Sequence, residues 1–184
     1  MFHTKRLQRE LSKIHQGLPP GISLVSAENF AQWQMDIQVL DDNPIYHGKN
    51  FRLNFKFNSN YPIEAPEVIF VRAANRGTSS HYCPYQSYEI FFRPQLYFCV
   101  QVYNSELEIP MHPHIYSNGI ICLDLLSSGN GWSPVQSVES VCMSIQSMLT
   151  GNTKNERPQG DTLFGLLSSS SPRNMRFVYD DPTV

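Results

Sequence analysis

Periodic spacing of hydrophobic residues predicts one helix and then a set of strands in the first seventy residues. Residues 4–16 carry apolar side chains at helical spacing, with Thr4 as a predicted N-cap and a Pro-Pro-Gly stop at 19–21. The apolar face of this helix consists of Leu7, Leu11 and Ile14. Strict alternation then predicts strands over residues 30–39 and 51–57. Shorter apolar runs predict two more strands at 22–25 and 68–71. Because the loops between them are short, we expect a four-stranded antiparallel meander with one buried face.

A second long helix is predicted over residues 137–149, with Ser137 as its N-cap and Gly151 just beyond its end. Its buried stripe is Val138, Val141, Cys142, Ile145, Met148 and Leu149. Two helices outside an antiparallel meander indicate an α+β fold.

Residues 72–106 interrupt this pattern. They hold two of the four cysteines and few charged residues, and they sustain no hydrophobic period. Their aromatic residues are Tyr82, Tyr85, Tyr88, Phe91, Phe92, Tyr97, Phe98 and Tyr103. A connection of this length without regular structure is unusual inside a domain. The segment is either a folded insertion or a misread stretch foreign to the mature protein, and the residues leave both alternatives open.

Composition restricts the class of protein. A chain of 184 residues with 41% hydrophobic residues is long enough for one domain with a proper core. A net charge of −2 gives no indication of nucleic-acid or anionic-membrane binding, and no apolar run approaches the ~20 residues that span a bilayer. The start of the chain lacks the apolar region of a signal peptide, and the cysteines lack paired CxxC spacing. We therefore expect reduced thiols and a location in the cytoplasm and nucleus.

Cys122 is the candidate chemical group. It lies in the apolar run 120–126, between an Asn118-Gly119 turn and a Trp-Ser-Pro corner at 132–134. Three interpretations compete: a buried small hydrophobe, a zinc ligand together with His112 and His114, and a nucleophile or covalent carrier. Paired zinc-ligand spacing is absent, so we predict no metal site. A cysteine protease would need an oriented histidine base, and Asp124 is poorly placed to orient one.

The motifs around Cys122 resemble those of the ubiquitin-conjugating enzymes, in order and in local spacing. The matching residues are Tyr61-Pro62, Pro66, Phe70, His112-Pro113, Tyr116, Asn118-Gly119, Ile121-Cys122-Leu123 and Trp132-Ser133-Pro134. The resemblance covers residues 1–71 and 107–158. It implies the ubiquitin-conjugating fold for a core domain at 1–158, interrupted by the insertion at 72–106. Because the chain turns polar from Lys154 onward, we expect a weakly ordered tail at 159–184.

Within this family the chain most resembles the type W members, which attach ubiquitin to protein N-termini. His114 stands where most of the family has Asn, and Arg157-Pro158 follows the second helix. The tail ends in aromatic and acidic residues, namely Phe177, Tyr179, Asp180 and Asp181. The resemblance implies that His114 braces the loop or donates to an oxyanion and that Asp124 supports the acceptor. Asp at position 124 is also common in lysine-directed members, which opposes the α-amine assignment.

The resemblance implies that Cys122 accepts ubiquitin as a thioester from an activating enzyme, which consumes the ATP, so that this chain binds no cofactor. A RING-type ligase would dock on Lys5, Arg6, Ile63, Pro134 and Val135. Donor ubiquitin would fold back on Met143 and Ser147, and the transfer would end on an amine of a protein substrate. The alternative is an inactive scaffold with the same fold, disabled by the insertion.

Overall fold

The computed structural model describes residues 2–72, 107–127 and 131–162. The predicted insertion at 72–106, apart from Arg72, and the tail beyond residue 162 lie outside the described residues, as do Cys83 and Cys99. The predictions made for them remain predictions.

Helix α1 spans Phe2–Gln16. The expected N-cap is wrong, because the helix begins before Thr4 and Thr4 lies inside its first turn. The predicted apolar face is confirmed: Leu7 and Ile14 are buried in the core, and Leu11 packs against it.

The four predicted strands form one antiparallel sheet in the order β1-β2-β3-β4. The strands are β1 Ile22–Ser26, β2 Gln32–Gln38, β3 Asn50–Lys56 and β4 Glu67–Val71. Their alternation works as predicted: Trp33, Met35, Ile37, Phe51, Leu53 and Phe55 point into the core. On the other face Arg52 donates two hydrogen bonds to Asp36, across paired positions of β2 and β3.

Helix α2 spans Val138–Thr150. Ser137 is its N-cap, as predicted, and exchanges hydrogen bonds with Ser140 in a capping box. Five of its six predicted stripe residues are buried, and Met148 packs against the core partly exposed. Among the described residues, no helix has the length and apolar character needed to cross a membrane.

One buried carboxylate ties α1 to the start of α2. Glu10 accepts hydrogen bonds from Arg6, from the hydroxyl of Tyr61 (2.6 Å) and from the backbone N–H of Val138 (2.9 Å). The N–H of Val138 lies in the first turn of α2, where backbone N–H groups have no partner within the helix. The loop that leads into α2 is therefore fixed relative to α1.

Residues 107–127 leave the regular sheet but stay attached to its edge. Ile120 forms an isolated bridge to Ile69 of β4, and the carbonyl of Gly119 accepts from the N–H of Phe70 at 2.8 Å. This attachment brings the segment that holds Cys122 to the edge of the core.

Candidate active site

Cys122 sits at the point where a buried run reaches the surface. Ile120 and Ile121 are buried, whereas Cys122 is partly exposed. Its backbone N–H donates to the carbonyl of His114 at 2.8 Å. The thiol is therefore held on an anchored backbone and not on a free loop.

Cys142, the other cysteine in the described residues, has the opposite environment. It is fully buried in the core, and burial raises the pKa of its thiol far above the ordinary value. Because the thiolate is the nucleophilic form, Cys142 is chemically inert at neutral pH. Of these two cysteines, only Cys122 is partly exposed to solvent.

The turn before Cys122 depends on a glycine. Gly119 has φ of +89°, and a Cβ at this position would lie 1.9 Å from the carbonyl oxygen of Phe70. The side-chain oxygen of Asn118 accepts from the N–H of Ile120 at 3.1 Å, and the N–H of Gly119 donates to Tyr116. The Asn-Gly signal in the sequence thus corresponds to a close contact between this turn and β4.

His112 is an internal brace. It is 4% exposed, and its Nδ1 accepts the backbone N–H of His114 at 2.9 Å. Burial, and secondarily the neighbouring His114, lower the pKa of His112 to about 4, although a backbone hydrogen bond at Met148 opposes this. The ring is neutral at pH 7, and its Nδ1 lone pair is occupied.

The zinc interpretation is not supported by this geometry. His112 uses Nδ1 for the backbone of His114, and the two imidazole rings are tilted with centroids 5.5 Å apart. In the part of the chain that the structure describes, no group of three His, Cys, Asp or Glu residues is arranged to hold a metal ion.

The backbone of His114 makes two hydrogen bonds within the site. Its N–H donates to His112 and its carbonyl accepts from Cys122, so the residue connects the buried imidazole to the thiol. Its side chain is partly exposed next to this connection. Asp124 is exposed and opens the 3₁₀ turn Asp124–Leu126, where its carbonyl accepts from Ser127. The side-chain roles predicted for His114 and Asp124 remain predictions.

Tyr116 lies within electrostatic range of the thiol. It is 7% exposed, and burial raises the pKa of its phenol, with further contributions from Cys122 and from Asp161. The phenol therefore stays protonated and neutral at pH 7.

Two residues that the sequence prediction did not assign to the site bind the same segment. Arg157 donates to the carbonyls of Ile109, Pro110 and Ile115, and Asp161 accepts from the N–H of Ser117 at 2.7 Å. Both come from the polar stretch after α2, which has no hydrophobic period. The only signal in the sequence was the Arg157-Pro158 pair. It indicated a resemblance to the type W members, but it did not indicate that Arg157 contacts the backbone of this segment.

The residues predicted to dock a ligase lie on an exposed surface. Ile63 is 77% exposed and Val135 is 88% exposed, and Lys5 and Pro134 are also exposed. Trp132 donates from its indole N–H to the carbonyl of Pro62 at 2.8 Å, which holds the two loops together.

Arg6 differs from the other members of this set. Its guanidinium bonds to Glu10 and, at 2.7 Å, to the carbonyl of Gln136. Its donors thus shape the loop next to the exposed residues. On α2, Met143 and Ser147 are exposed one turn apart, so they share one face of the helix. The partner roles of all these residues remain predictions.

Comparison with known proteins agrees with the fold and the motifs. The family model described as "Ubiquitin-conjugating enzyme" matches residues 6–176. The chain is 36% identical to a probable ubiquitin-conjugating enzyme E2 W of Dictyostelium discoideum, over 99% of this chain and 97% of that protein. It is 32% identical to a probable ubiquitin-conjugating enzyme E2 W-A of Danio rerio, over 97% of this chain and 96% of that protein.

A solved structure also matches. The ubiquitin-conjugating enzyme E2 UbcA1 of Agrocybe aegerita superposes with a TM-score of 0.71 at 34% identity, covering 93% of this chain and 98% of that chain. The predicted fold and the predicted resemblance to type W members are confirmed. The chain belongs to the ubiquitin-conjugating enzyme family and is a transferase of the ubiquitination pathway.

Proposed function

We propose that Cys122 carries ubiquitin as a thioester and that the bound ubiquitin passes to the N-terminal α-amino group of substrate proteins. The observation that supports the thioester is the placement of Cys122. Cys122 is partly exposed on a backbone anchored through His114, whereas Cys142 is sealed in the core. A thiol in such a position can accept an acyl group without disturbing the interior.

The reaction has two balanced steps. The Cys122 thiolate attacks the ubiquitin C-terminal thioester on the activating enzyme, a new C–S bond forms, and the enzyme's thiolate leaves. A neutral amine then attacks the same carbonyl carbon, forms a C–N bond, expels the Cys122 thiolate and loses a proton to solvent or a base. ATP enters only at the activating enzyme, so this chain needs no cofactor of its own.

The α-amine preference is supported by physical chemistry and by the resemblance to type W members, which implies transfer to protein N-termini. An α-amino group has a pKa near 7.7–8.0 and lysine one near 10.4, so near pH 7 the neutral fraction is roughly 300-fold larger for the α-amine. An α-amine therefore requires less help with deprotonation than a lysine does. The described site fits this smaller need for a base, because the imidazole of His112 is neutral and its Nδ1 already accepts the backbone N–H of His114.

The inactive-scaffold alternative is not favoured, because the matching relatives named above carry the names of ubiquitin-conjugating enzymes. We also propose that the partners are ubiquitin, its activating enzyme and RING-type ligases. The ligases would dock on the exposed surface that includes Ile63 and Val135.

A loading assay tests the thioester. The chain is incubated with activating enzyme, ATP and ubiquitin, and adducts are separated with and without reductant. We expect a reductant-sensitive adduct in the wild type and in Cys142→Ala, and none in Cys122→Ala. Loading that persists in Cys122→Ala would contradict the assignment of the carrier.

A discharge assay tests the acceptor. Loaded enzyme is mixed with a lysine-free peptide that has a free N-terminus, and in parallel with the same peptide after N-acetylation. We expect product only with the free N-terminus, together with slower discharge to N-acetylated peptides that contain lysine. Equal discharge to the N-acetylated lysine peptide would overturn the α-amine preference and leave the thioester standing.

A further inference from the structure

The segment that presents Cys122 is short of regular backbone partners. Between residues 107 and 121 it forms only isolated bridges among the described residues, at His112–Ile115, Ile115–Ile121 and Ile69–Ile120. Leu107, Ile109, Pro110 and Ile115 are nevertheless buried. Buried carbonyls require hydrogen-bond donors, and a continuous sheet does not supply them here.

A single side chain supplies three of these donors. The Nη1 of Arg157 donates to the carbonyls of Pro110 at 2.6 Å and Ile115 at 3.0 Å, and its Nη2 donates to the carbonyl of Ile109 at 3.0 Å. The planar guanidinium has five N–H donors in a fixed fork, so it can hold these carbonyls in one arrangement. Lysine has one nitrogen and cannot reproduce that fork.

A fourth carbonyl is held from another direction. The hydroxyl of Tyr46 donates to the carbonyl of Met111 at 2.5 Å, and the side chain of Asn152 donates to the same hydroxyl at 2.5 Å. Asn152 lies two residues after the end of α2, so the stretch after α2 contributes to this contact as well.

The next contact lies closer to the thiol. Asp161 accepts the backbone N–H of Ser117, in the turn that ends at Gly119 and leads into Cys122. Arg157 and Asp161 also attract each other electrostatically. The two residues therefore hold both ends of the segment from Ile109 to Ser117, and the carbonyl of His114, which accepts from Cys122, lies between them.

We propose that Arg157 and Asp161 are positioning residues of the transfer reaction, which act by fixing the backbone that presents Cys122. The proposal rests on the proposed function for its kinetic consequence. Neither residue is assigned contact with ubiquitin or with the acceptor. Their effect reaches the reaction through the carbonyl of His114 and the N–H of Cys122.

The first test replaces the fork of Arg157 and keeps its charge. Arg157→Lys is compared with Arg52→Lys, which removes an equally forked arginine from the far face of the sheet. Both variants are loaded to equal thioester occupancy, and discharge to a lysine-free peptide is followed in single turnover against peptide concentration. We expect Arg157→Lys to lower the maximal rate by about tenfold with unchanged half-saturation, because a misplaced reacting group loses rate and not affinity.

The Arg52→Lys control should discharge at the wild-type rate. If Arg157→Lys lowers the thermal midpoint but discharges like the control at a temperature where both are folded, its role is only structural and the proposal is overturned.

A second pair separates the hydrogen bond of Asp161 from its charge. Asp161→Asn keeps an oxygen that can accept from Ser117, whereas Asp161→Ala does not. We expect the Asn variant to stay within about twofold of wild type and the Ala variant to be about tenfold slower. Equal loss in both variants, or a wild-type rate in Asp161→Ala, would show that the hydrogen bond to Ser117 does not set the rate, and would overturn the positioning role of Asp161 through that bond.

Backbone hydrogen exchange decides the inference without any thioester. The N–H of Cys122 should exchange at least about tenfold faster in Arg157→Lys than in wild type, and it should be unchanged in Arg52→Lys. If the wild type fails to load ubiquitin, the proposed function is contradicted. Hydrogen exchange at Cys122 then still tests whether Arg157 fixes the backbone of this segment, and an unchanged exchange rate in Arg157→Lys would overturn that inference.

Discussion

At the scale of single residues, the site is organised by polar side chains that bind backbone groups. His112 binds the N–H of His114, Arg157 binds three carbonyls, and Asp161 binds the N–H of Ser117. These contacts replace the hydrogen bonds that a strand would supply. For the carrier role proposed for Cys122, the thiol needs only to be accessible and held in place.

The neutral imidazole of His112 predicts a pH dependence of stability. Its folded pKa of about 4 lies below the ordinary 6.5, so the unfolded chain binds more protons between these values. The stability that the neutral His112 ring contributes to the fold is therefore fully present above about pH 6.5 and is lost as the pH falls towards 4. Because of His112 alone, we expect the free energy of unfolding to fall by about 2 kcal/mol between pH 7 and pH 5.

Urea unfolding at both pH values measures this loss against His112→Asn, whose amide can accept from His114 but does not titrate. The loss attributed to His112 is the extra pH dependence of the wild type. Identical pH dependence in the two proteins would show that His112 is not buried as a neutral group.

Sequence reasoning singled out Cys122 as the candidate because a thiol within a specific motif is a local signal. It could not assign Arg157 or Asp161, because their partners are backbone groups about forty to fifty residues away and any residue type provides those groups. The same limit applies to Arg6, which was assigned to the docking surface and whose donors bind Glu10 and the carbonyl of Gln136.

At the scale of elements, the sheet was predictable because its inward residues alternate strictly along β2 and β3. The start of α1 was harder to predict from the sequence. Thr4 is a good cap by type, but the helix continues past it to Phe2. Capping preference is a weak local effect of about 1 kcal/mol, which the rest of a helix can override.

The attachment of the active-site turn to β4 makes Gly119 a sensitive position. Gly119→Ala places a Cβ 1.9 Å from the carbonyl oxygen of Phe70, in addition to the cost of a positive φ. Gly48→Ala is a matched control, because Gly48 has φ of +70° and nothing within 4 Å of its added Cβ.

We expect Gly48→Ala to cost about 1–2 kcal/mol of unfolding free energy, and Gly119→Ala to cost at least about 3 kcal/mol more. Chemical denaturation measures both variants. Equal costs would mean that the turn moves freely away from β4.

At the scale of the whole molecule, two exposed regions are candidates for binding partner proteins. One is the apolar surface of Ile63, Pro134 and Val135, and the other is the face of α2 that carries Met143 and Ser147. Glu10 connects α1 to the start of α2 beneath the first region. Exposed apolar residues on loops held by Trp132 are suited to binding a partner protein.

The ligase assignment predicts a selective defect. Ile63→Asp should abolish ligase-stimulated discharge, because a charge would be buried in the contact, and it should leave thioester loading unchanged. Leu40→Asp is the control, since Leu40 is also well exposed, at 60%, but lies in the loop after β2. Single-turnover discharge with and without a RING-type ligase measures the effect. Full ligase stimulation of Ile63→Asp would place the docking surface elsewhere.

The central claim is that the sulfur of Cys122 forms the covalent link to ubiquitin, and Cys122→Ser tests it most directly. A serine at this position would form an oxygen ester, which resists reductant but is cleaved by hydroxide. The measurement is the intact mass of the adduct after each treatment. We predict that the wild-type adduct is lost in reductant, whereas the Cys122→Ser adduct survives reductant and is lost in hydroxide. A Cys122→Ser adduct that reductant still cleaves would place the link on another cysteine and contradict the account.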